Sequence, residues 1–244
     1  MGLKRTHNED CFIANPSLGL YVVCDGMGGC NAGEIASALA AETIHAHLTD
    51  AVRNRDLPLM GPGNAMVSDA ANRLASAIHA ANYAILDESG RDSNHLGMGT
   101  TVVAALLHGN RLAIAHVGDS RLYLVRNGMI HALTMDHSWV AEQVLKGLLT
   151  EDEAEQSPRK NIVTRALGID LDLDVELTEI PVLRGDRLLL CSDGLTHGVR
   201  PQEILQALTE SDDLPAITEH LITMANNAGG DDNITVLVVS LGRS

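Results

Sequence analysis

The chain has 244 residues, 45% hydrophobic and only 2% aromatic, which is enough apolar material for one aliphatic core and too much for intrinsic disorder. It carries 32 Asp and Glu against 17 Lys and Arg, a formal charge of -15, and that argues against nucleic-acid binding, which needs clustered cations. No run of 18 apolar residues exists, the N-terminus lacks the apolar stretch of a signal peptide, and the four cysteines (Cys11, Cys24, Cys30, Cys191) form no CxxC pair; a cytoplasmic protein with reduced thiols and no membrane segment is expected.

Residues 18 to 24 read as a strand, followed by a glycine-rich turn at Asp25-Gly26-Met27-Gly28-Gly29. A helix begins near Asn31, where Asn31 can cap it and Glu34 can reach back as in a capping box. Ala36, Leu39, Ala40, Ile44 and Leu48 lie on one of its faces. Residues 53 to 65 hold two prolines and two glycines and form a loop. A second helix spans about 66 to 88, with Leu74, Ile78, Ala81 and Ile85 on one stripe. The period then changes. Apolar runs at 100–107, 111–117, 120–126 and 129–133, separated by tight turns, predict a four-stranded antiparallel meander, and Asn127-Gly128 is a strong hairpin signal. Residues 136 to 160 are polar and partly helical, and the block Glu151-Asp152-Glu153-Ala154-Glu155 reads as a solvated surface. Strands near 174–180 and 186–191, helices at about 201–209 and 213–227, and a strand at 234–241 complete the chain. This order does not alternate as a parallel α/β fold does, so the class is α+β with antiparallel sheets.

Most acids sit on polar segments, but a few sit at the ends of apolar strands: Glu9 and Asp10 before Cys11-Phe12-Ile13, Asp25 after Val22-Val23-Cys24, Asp119 in a tight turn, Asp193 after Leu190-Cys191-Ser192, and Asp231 and Asp232 before Ile234. A carboxylate at the edge of a core is costly unless it is paired or bound to a cation. The few basic residues cannot pair with all of them, so a hard divalent ion, Mg²⁺ or Mn²⁺, is the economical solution. Gly26 has no side chain, so its carbonyl can approach a metal closely beside Asp25. Two ions held there could share a hydroxide for attack on phosphorus. Ordinary Asp-Gly turn chemistry is the competing explanation for any single position. The run Gly26-x-Gly28-x-x-Asn31 comes near a dinucleotide fingerprint, but Asn31 replaces the third glycine and a helix, not a parallel strand, follows the first helix.

Seven motifs in order carry a resemblance: Arg5-Thr6-His7-Asn8-Glu9-Asp10, Asp25-Gly26-Met27-Gly28-Gly29, Gly99-Thr100-Thr101, Val117-Gly118-Asp119-Ser120-Arg121, Leu133-Thr134-Met135-Asp136-His137-Ser138, Leu190-Cys191-Ser192-Asp193-Gly194 and Gly230-Asp231-Asp232-Asn233-Ile234-Thr235. Over nearly its whole length the chain resembles the metal-dependent serine/threonine protein phosphatases of type 2C, the PPM family, in their compact bacterial form. The resemblance implies a four-layer α-β-β-α sandwich of two antiparallel sheets flanked by helix pairs, formed by a single domain, 1–244, with a variable flap at about 137–165. It implies that Asp25 bridges two metals, that Asp193 and Asp232 hold the first ion, and that Glu9 and the Gly26 carbonyl hold the second. Asp10 would orient metal-bound water, and Arg5 would bind the substrate phosphate, a role its planar fork suits. Asp119 with Asp193 matches a weaker third-metal site; Asp232 rather than Asp231 is the expected ligand of its pair.

The implied reaction is hydrolysis of phosphoserine and phosphothreonine in proteins by a metal-bridging water, opposing a serine/threonine kinase, in a monomer. Met27 stands where many eukaryotic relatives have a histidine proposed to protonate the leaving group. His7 and His137 read as structural, and His45 and His47, two apart on a helix, do not share a face. A catalytically dead binding module of the same fold would be expected to lack one of Glu9, Asp25, Asp193 or Asp232, and all are present. A phosphodiesterase or nuclease is opposed by the acidic charge.

Overall fold

Alternation along the apolar strands sorts their side chains between separate cores. In the computed structural model, which describes residues 1–28 and 32–242, β1 (Asp10–Asn15) and β2 (Leu20–Met27) form an antiparallel hairpin. Two long helices follow, α1 (Ala32–Arg53) and α2 (Asp69–Arg91), then β3 (Gly99–Thr100), β4 (Val102–His108) and β5 (Arg111–Val117). Next come β6 (Arg121–Arg126), β7 (Met129–Ala132), and the short helices α3 (Trp139–Leu145) and α4 (Glu151–Glu155). The chain ends with β8 (Glu176–Pro181), β9 (Arg187–Cys191), α5 (Asp193–Thr196), α6 (Pro201–Glu210), α7 (Leu214–Asn227) and β10 (Val236–Ser240).

One sheet runs β1-β2-β4-β5-β8, with β3 also paired to β2; the other runs β10-β9-β6-β7. All of their pairings are antiparallel. Leu20, Val22 and Cys24 of β2 point at α1 and α2, while Tyr21 and Val23 point at the second sheet. Leu189 and Cys191 of β9 face α6 and α7, whereas Leu188 and Leu190 meet the first sheet. Three apolar layers therefore hold four structural layers together, as the α+β sandwich expectation requires.

The strand expectations need two corrections. The runs from 100 to 133 are not one meander. β4 and β5 pair in the first sheet and β6 and β7 in the second, and β5 does not pair with β6. The chain changes sheets at Gly118-Asp119-Ser120, where Gly118 adopts φ +111° and a Cβ would lie 2.6 Å from the Thr101 side chain. Only glycine tolerates both. The second correction is β1, which the order of elements omits although Cys11-Phe12-Ile13 counts there as a short apolar strand beside Glu9 and Asp10; it runs from Asp10 to Asn15, with Phe12 exposed.

Elsewhere the boundaries shift by a few residues. Helix α2 starts at Asp69, because Ser68 caps it by accepting from the Ala71 amide and is itself held by Glu179, 2.7 Å away. Pro201 opens α6 as expected. Asn127 and Gly128 both take positive φ in the β6–β7 turn. The acidic block starts α4, where Thr150 and Glu153 form a capping box and the acids face the positive helix end. The Asn31 cap, with Gly29 and Cys30, lies outside the described residues.

Candidate active site

The expected acids come together at one end of the sandwich. Asp10 opens β1 and lies directly across from Asp25 on β2. Asp119 sits where the chain changes sheets, Asp193 opens α5 just after β9, and Asp232 precedes β10. The charges of Asp10, Asp119, Asp193 and Asp232 all act on Asp25. Those of Asp10 and Asp232 act on Glu9. A Cβ on Gly26 would run into the Gly33 carbonyl and come within 2.5 Å of the Glu9 carbonyl, so this turn of the backbone needs glycine.

The electrostatic result is a set of acids that hold their protons too tightly. Burial first, then Asp10, Asp193, Asp119 and Asp232, pushes the Asp25 carboxyl well above the usual range. Burial, then Asp232 and Asp10, lifts Asp193 to about 7. Burial, then Asp193, lifts Asp119 to about 7. Glu9 and Asp10 are also raised, burial being the main cause for each.

Neighbouring polar side chains build this arrangement, and the sequence analysis assigned them no role. Asp10 Oδ2 accepts from Ser192 Oγ at 2.8 Å and from Thr235 Oγ1 at 2.7 Å. The Asp25 backbone is fixed by Thr101 Oγ1, which accepts from its amide at 3.0 Å, and by Thr100 Oγ1, which donates to its carbonyl at 2.9 Å. Asn233 accepts from the Glu9 amide at 2.7 Å and donates to the His7 carbonyl at 2.9 Å. Arg121 forms a fork with Asp136, at 2.8 and 2.7 Å. Their shared signal in the sequence is position: each lies within one of the seven motifs. His197 was also missed; one helical turn beyond Asp193, its Nε2 stands 3.5 Å from Asp193 Oδ2.

The remaining candidates divide clearly. Arg5 reaches the acids and donates to Asp232 Oδ2 at 2.7 Å. Asp231 turns away to an exposed pair with Lys4. His7 is exposed, whereas His137 is 5% exposed. His45 pairs with Asn15 and His47 with Ser76, so the two do not act together. Met27 ends β2, paired with Gly99.

Oδ1 of Asp10 and Oδ1 of Asp193 are buried without a hydrogen-bond partner. Orphaned carboxylate oxygens beside further crowded carboxylates are what a hard divalent cation satisfies. The residues present therefore fit metal ions in donor type and in unmet charge.

An antiparallel β-sandwich between helix pairs, with carboxylates crowded at one end, is consistent with a metal-dependent phosphatase, and comparison with known proteins establishes the class. Residues 5–237 match the model of the family described as Protein phosphatase 2C. The serine/threonine phosphatase stp of Listeria monocytogenes is 38% identical over 241 residues, covering 98% of this chain and 92% of that one. The protein phosphatase PhpP of Streptococcus pneumoniae is 36% identical over 244 residues, covering 99% and 94%. The crystal structure of the Mycobacterium tuberculosis serine/threonine phosphatase PstP/Ppp superposes with a TM-score of 0.86 at 36% identity, covering 99% of this chain and 95% of that one. A structure of the PstP catalytic domain in complex with two manganese ions superposes with a TM-score of 0.83 at 37% identity, covering 97% and 93%. The chain belongs to the protein phosphatase 2C family. It is an enzyme of that class, a protein phosphatase and so a hydrolase.

Proposed function

We propose that the chain is a metal-dependent serine/threonine protein phosphatase whose active centre is the acidic end of the sandwich. The observation that carries this reading is the convergence of Glu9, Asp10, Asp25, Asp193 and Asp232 with unmet charge and orphaned oxygens in a chain of this family. In this reading Asp25 would contact both of two Mn²⁺ or Mg²⁺ ions, with Asp193 and Asp232 holding the first and Glu9 with the Gly26 carbonyl the second. Asp119 and Asp193 would hold a weaker third. When bound, such ions supply Lewis acidity, neutralise phosphoryl charge and activate a water for in-line attack.

The chain's own groups supply the rest. Ser192 and Thr235 hold Asp10 in one orientation, leaving its Oδ1 to orient a nucleophilic water. Arg5 offers a guanidinium fork to the phosphoryl oxygens from the rim of the acids. Met27 carries no titratable proton, so it does not protonate the leaving serine or threonine oxygen. In this reading water attacks phosphorus directly and no phosphoenzyme is formed.

The same reading makes phosphorylated proteins the substrates and a serine/threonine kinase the opposing enzyme, for a monomeric, cytoplasmic, single-domain protein over 1–244. The formal charge of -15 supports a protein rather than a nucleic-acid substrate. No helix among the described residues is long and apolar enough to cross a membrane. The flap at 137–165, which carries α3 and α4, starts at His137, whose amide donates to the Gly118 carbonyl next to Asp119 at 2.9 Å, and segments of this kind govern substrate choice. The test is phosphopeptide hydrolysis with Mn²⁺. Wild type should be active and silenced by chelator, and Asp25→Ala and Asp232→Ala should each lose at least about 100-fold. Full activity of either variant would refute the assignment.

A further inference from the structure

We propose that His137 is a positioning residue: its ring clamps the Gly118-Asp119 turn and ties that turn to the base of the flap. This deepens the reading of Asp119 as a metal ligand and rests on it.

His137 grips Gly118 twice. Its backbone amide donates to the Gly118 carbonyl at 2.9 Å, and its ring Nδ1 faces the Gly118 amide at 3.1 Å. A backbone amide can only donate, so Nδ1 accepts and is unprotonated. The ring proton is therefore on Nε2, and it points at Glu176 Oε2, 3.2 Å away. Glu176 thus fixes the tautomer that Gly118 requires. His116 stacks on the ring with centroids 4.6 Å apart and spends its own Nε2–H on the Met135 carbonyl at 2.9 Å. Burial also holds the His137 ring below its ordinary range, in the neutral form the clamp needs.

The turn needs this support. Gly118 has φ +111° and Asp119 follows at once, so the Asp119 carboxylate is aimed by a peptide that no strand pairing holds across the sheet change. Thr101 meets the turn from the other side, with its Oγ1 2.8 Å from Ser120 Oγ and accepting from the Asp25 amide. One chain of contacts therefore runs from Glu176 through His137 and the turn to Asp25. It continues into the flap, because the His137 carbonyl accepts from the Thr164 amide at 2.7 Å and Ser138 bridges to Val163.

His116, His137 and Glu176 also bring ligand atoms within 4.8 Å of one another, which raises the rival of a cation site. The proton inventory opposes it. A ligating imidazole donates its other N–H to an acceptor, whereas His137 uses Nδ1 as an acceptor and turns Nε2–H toward the carboxylate.

The experiment compares full-length wild type, His137→Asn, His137→Leu and Asp119→Asn. Asn places an acceptor oxygen near the position of Nδ1, and Leu does not. Three readouts apply: Mn²⁺ binding counted by electron paramagnetic resonance, hydrogen exchange of the Gly118 amide in metal-free protein, and the tautomer of His137 from nitrogen chemical shifts. The expected result is an Nε2–H tautomer in wild type, with the weakest Mn²⁺ weakened roughly 10–100-fold in His137→Leu, the usual size of a lost outer partner. The tighter Mn²⁺ sites should be unchanged, Gly118 protection should be lost in His137→Leu, and both effects should be rescued in His137→Asn. His137→Asn behaving like His137→Leu overturns the clamp, because packing rather than the acceptor would then matter. A further equivalent of Zn²⁺ held by wild type and lost in both His137 variants overturns it in favour of a cation site. If Asp119→Asn binds Mn²⁺ as wild type does, the ligand reading of Asp119 fails instead, and Gly118 exchange alone still decides whether His137 holds the turn.

Discussion

Replacing Asp119 by Asn should stabilise the metal-free protein, and only above pH 4. Asp119 is 6% exposed, and burial with the nearby Asp193 charge raises it from 3.8 to about 7. In the unfolded chain the same carboxyl titrates near its ordinary value. Below that value it is protonated in both states and contributes no pH dependence. Between pH 4 and 7 the folded protein keeps a proton that the unfolded chain has released, so raising the pH removes stability, and above about 7 the loss is complete. The gap between 3.8 and about 7 sets a ceiling of about 4 kcal/mol. Local relaxation and water entry around the charged carboxylate in the wild type lower that ceiling, so about 1–3 kcal/mol should be measured. Asn keeps the volume without the charge. The assay is urea denaturation with chelator present, wild type against variant, at steps from pH 4 to 8. The two proteins should coincide at pH 4, and the variant should gain steadily up to about pH 7. A difference that does not change with pH, or a variant less stable than wild type at pH 8, would show that Asp119 is not held as a crowded, buried acid.

Three more outcomes follow from other contacts. Ser192→Ala removes a hydrogen bond to the buried Asp10 carboxylate and should cost about 1.5–3 kcal/mol by denaturation at neutral pH, as a bond to a charged group does; Thr235→Val should behave alike through the same oxygen. Gly118→Ala forces a side chain onto Thr101 at a positive φ and should cost about 1–3 kcal/mol in thermal unfolding, whereas Gly109→Ala, with open space around it, should cost only its φ preference. Arg121→Lys keeps the charge but loses the two-pronged grip on Asp136, so it should lower stability by about 1 kcal/mol or more and should not be rescued by raising Mn²⁺.

The two long helices were legible because Ala36, Ile44, Leu74, Ile78 and Ile85 recur at helical spacing and do bury. The hairpin at Asn127-Gly128 was legible because two successive positive φ angles demand such residues. Strand β1 showed only as the short apolar run Cys11-Phe12-Ile13, since six residues with Phe12 and Ala14 exposed mark no period. Among the site residues, the acids stood out because a carboxylate beside an apolar run is costly wherever it falls. The hydroxyls of Ser192, Thr235, Thr100 and Thr101 did not, because such residues are unremarkable in a turn until one sees which carboxylate or amide they meet.

Local sequence therefore determined which segments are helical or extended and which acids lacked an obvious reason to be where they are, as both follow from periodicity and desolvation along the chain. Tertiary structure alone decided that β5 and β6 lie in different sheets, that Asp10 stands opposite Asp25, and that Asp231 turns away to pair with Lys4. Strand partners are chosen by the burial of both faces of each sheet at once. That choice is global, and it brings residues more than two hundred positions apart, such as Asp10 and Thr235, into one hydrogen bond.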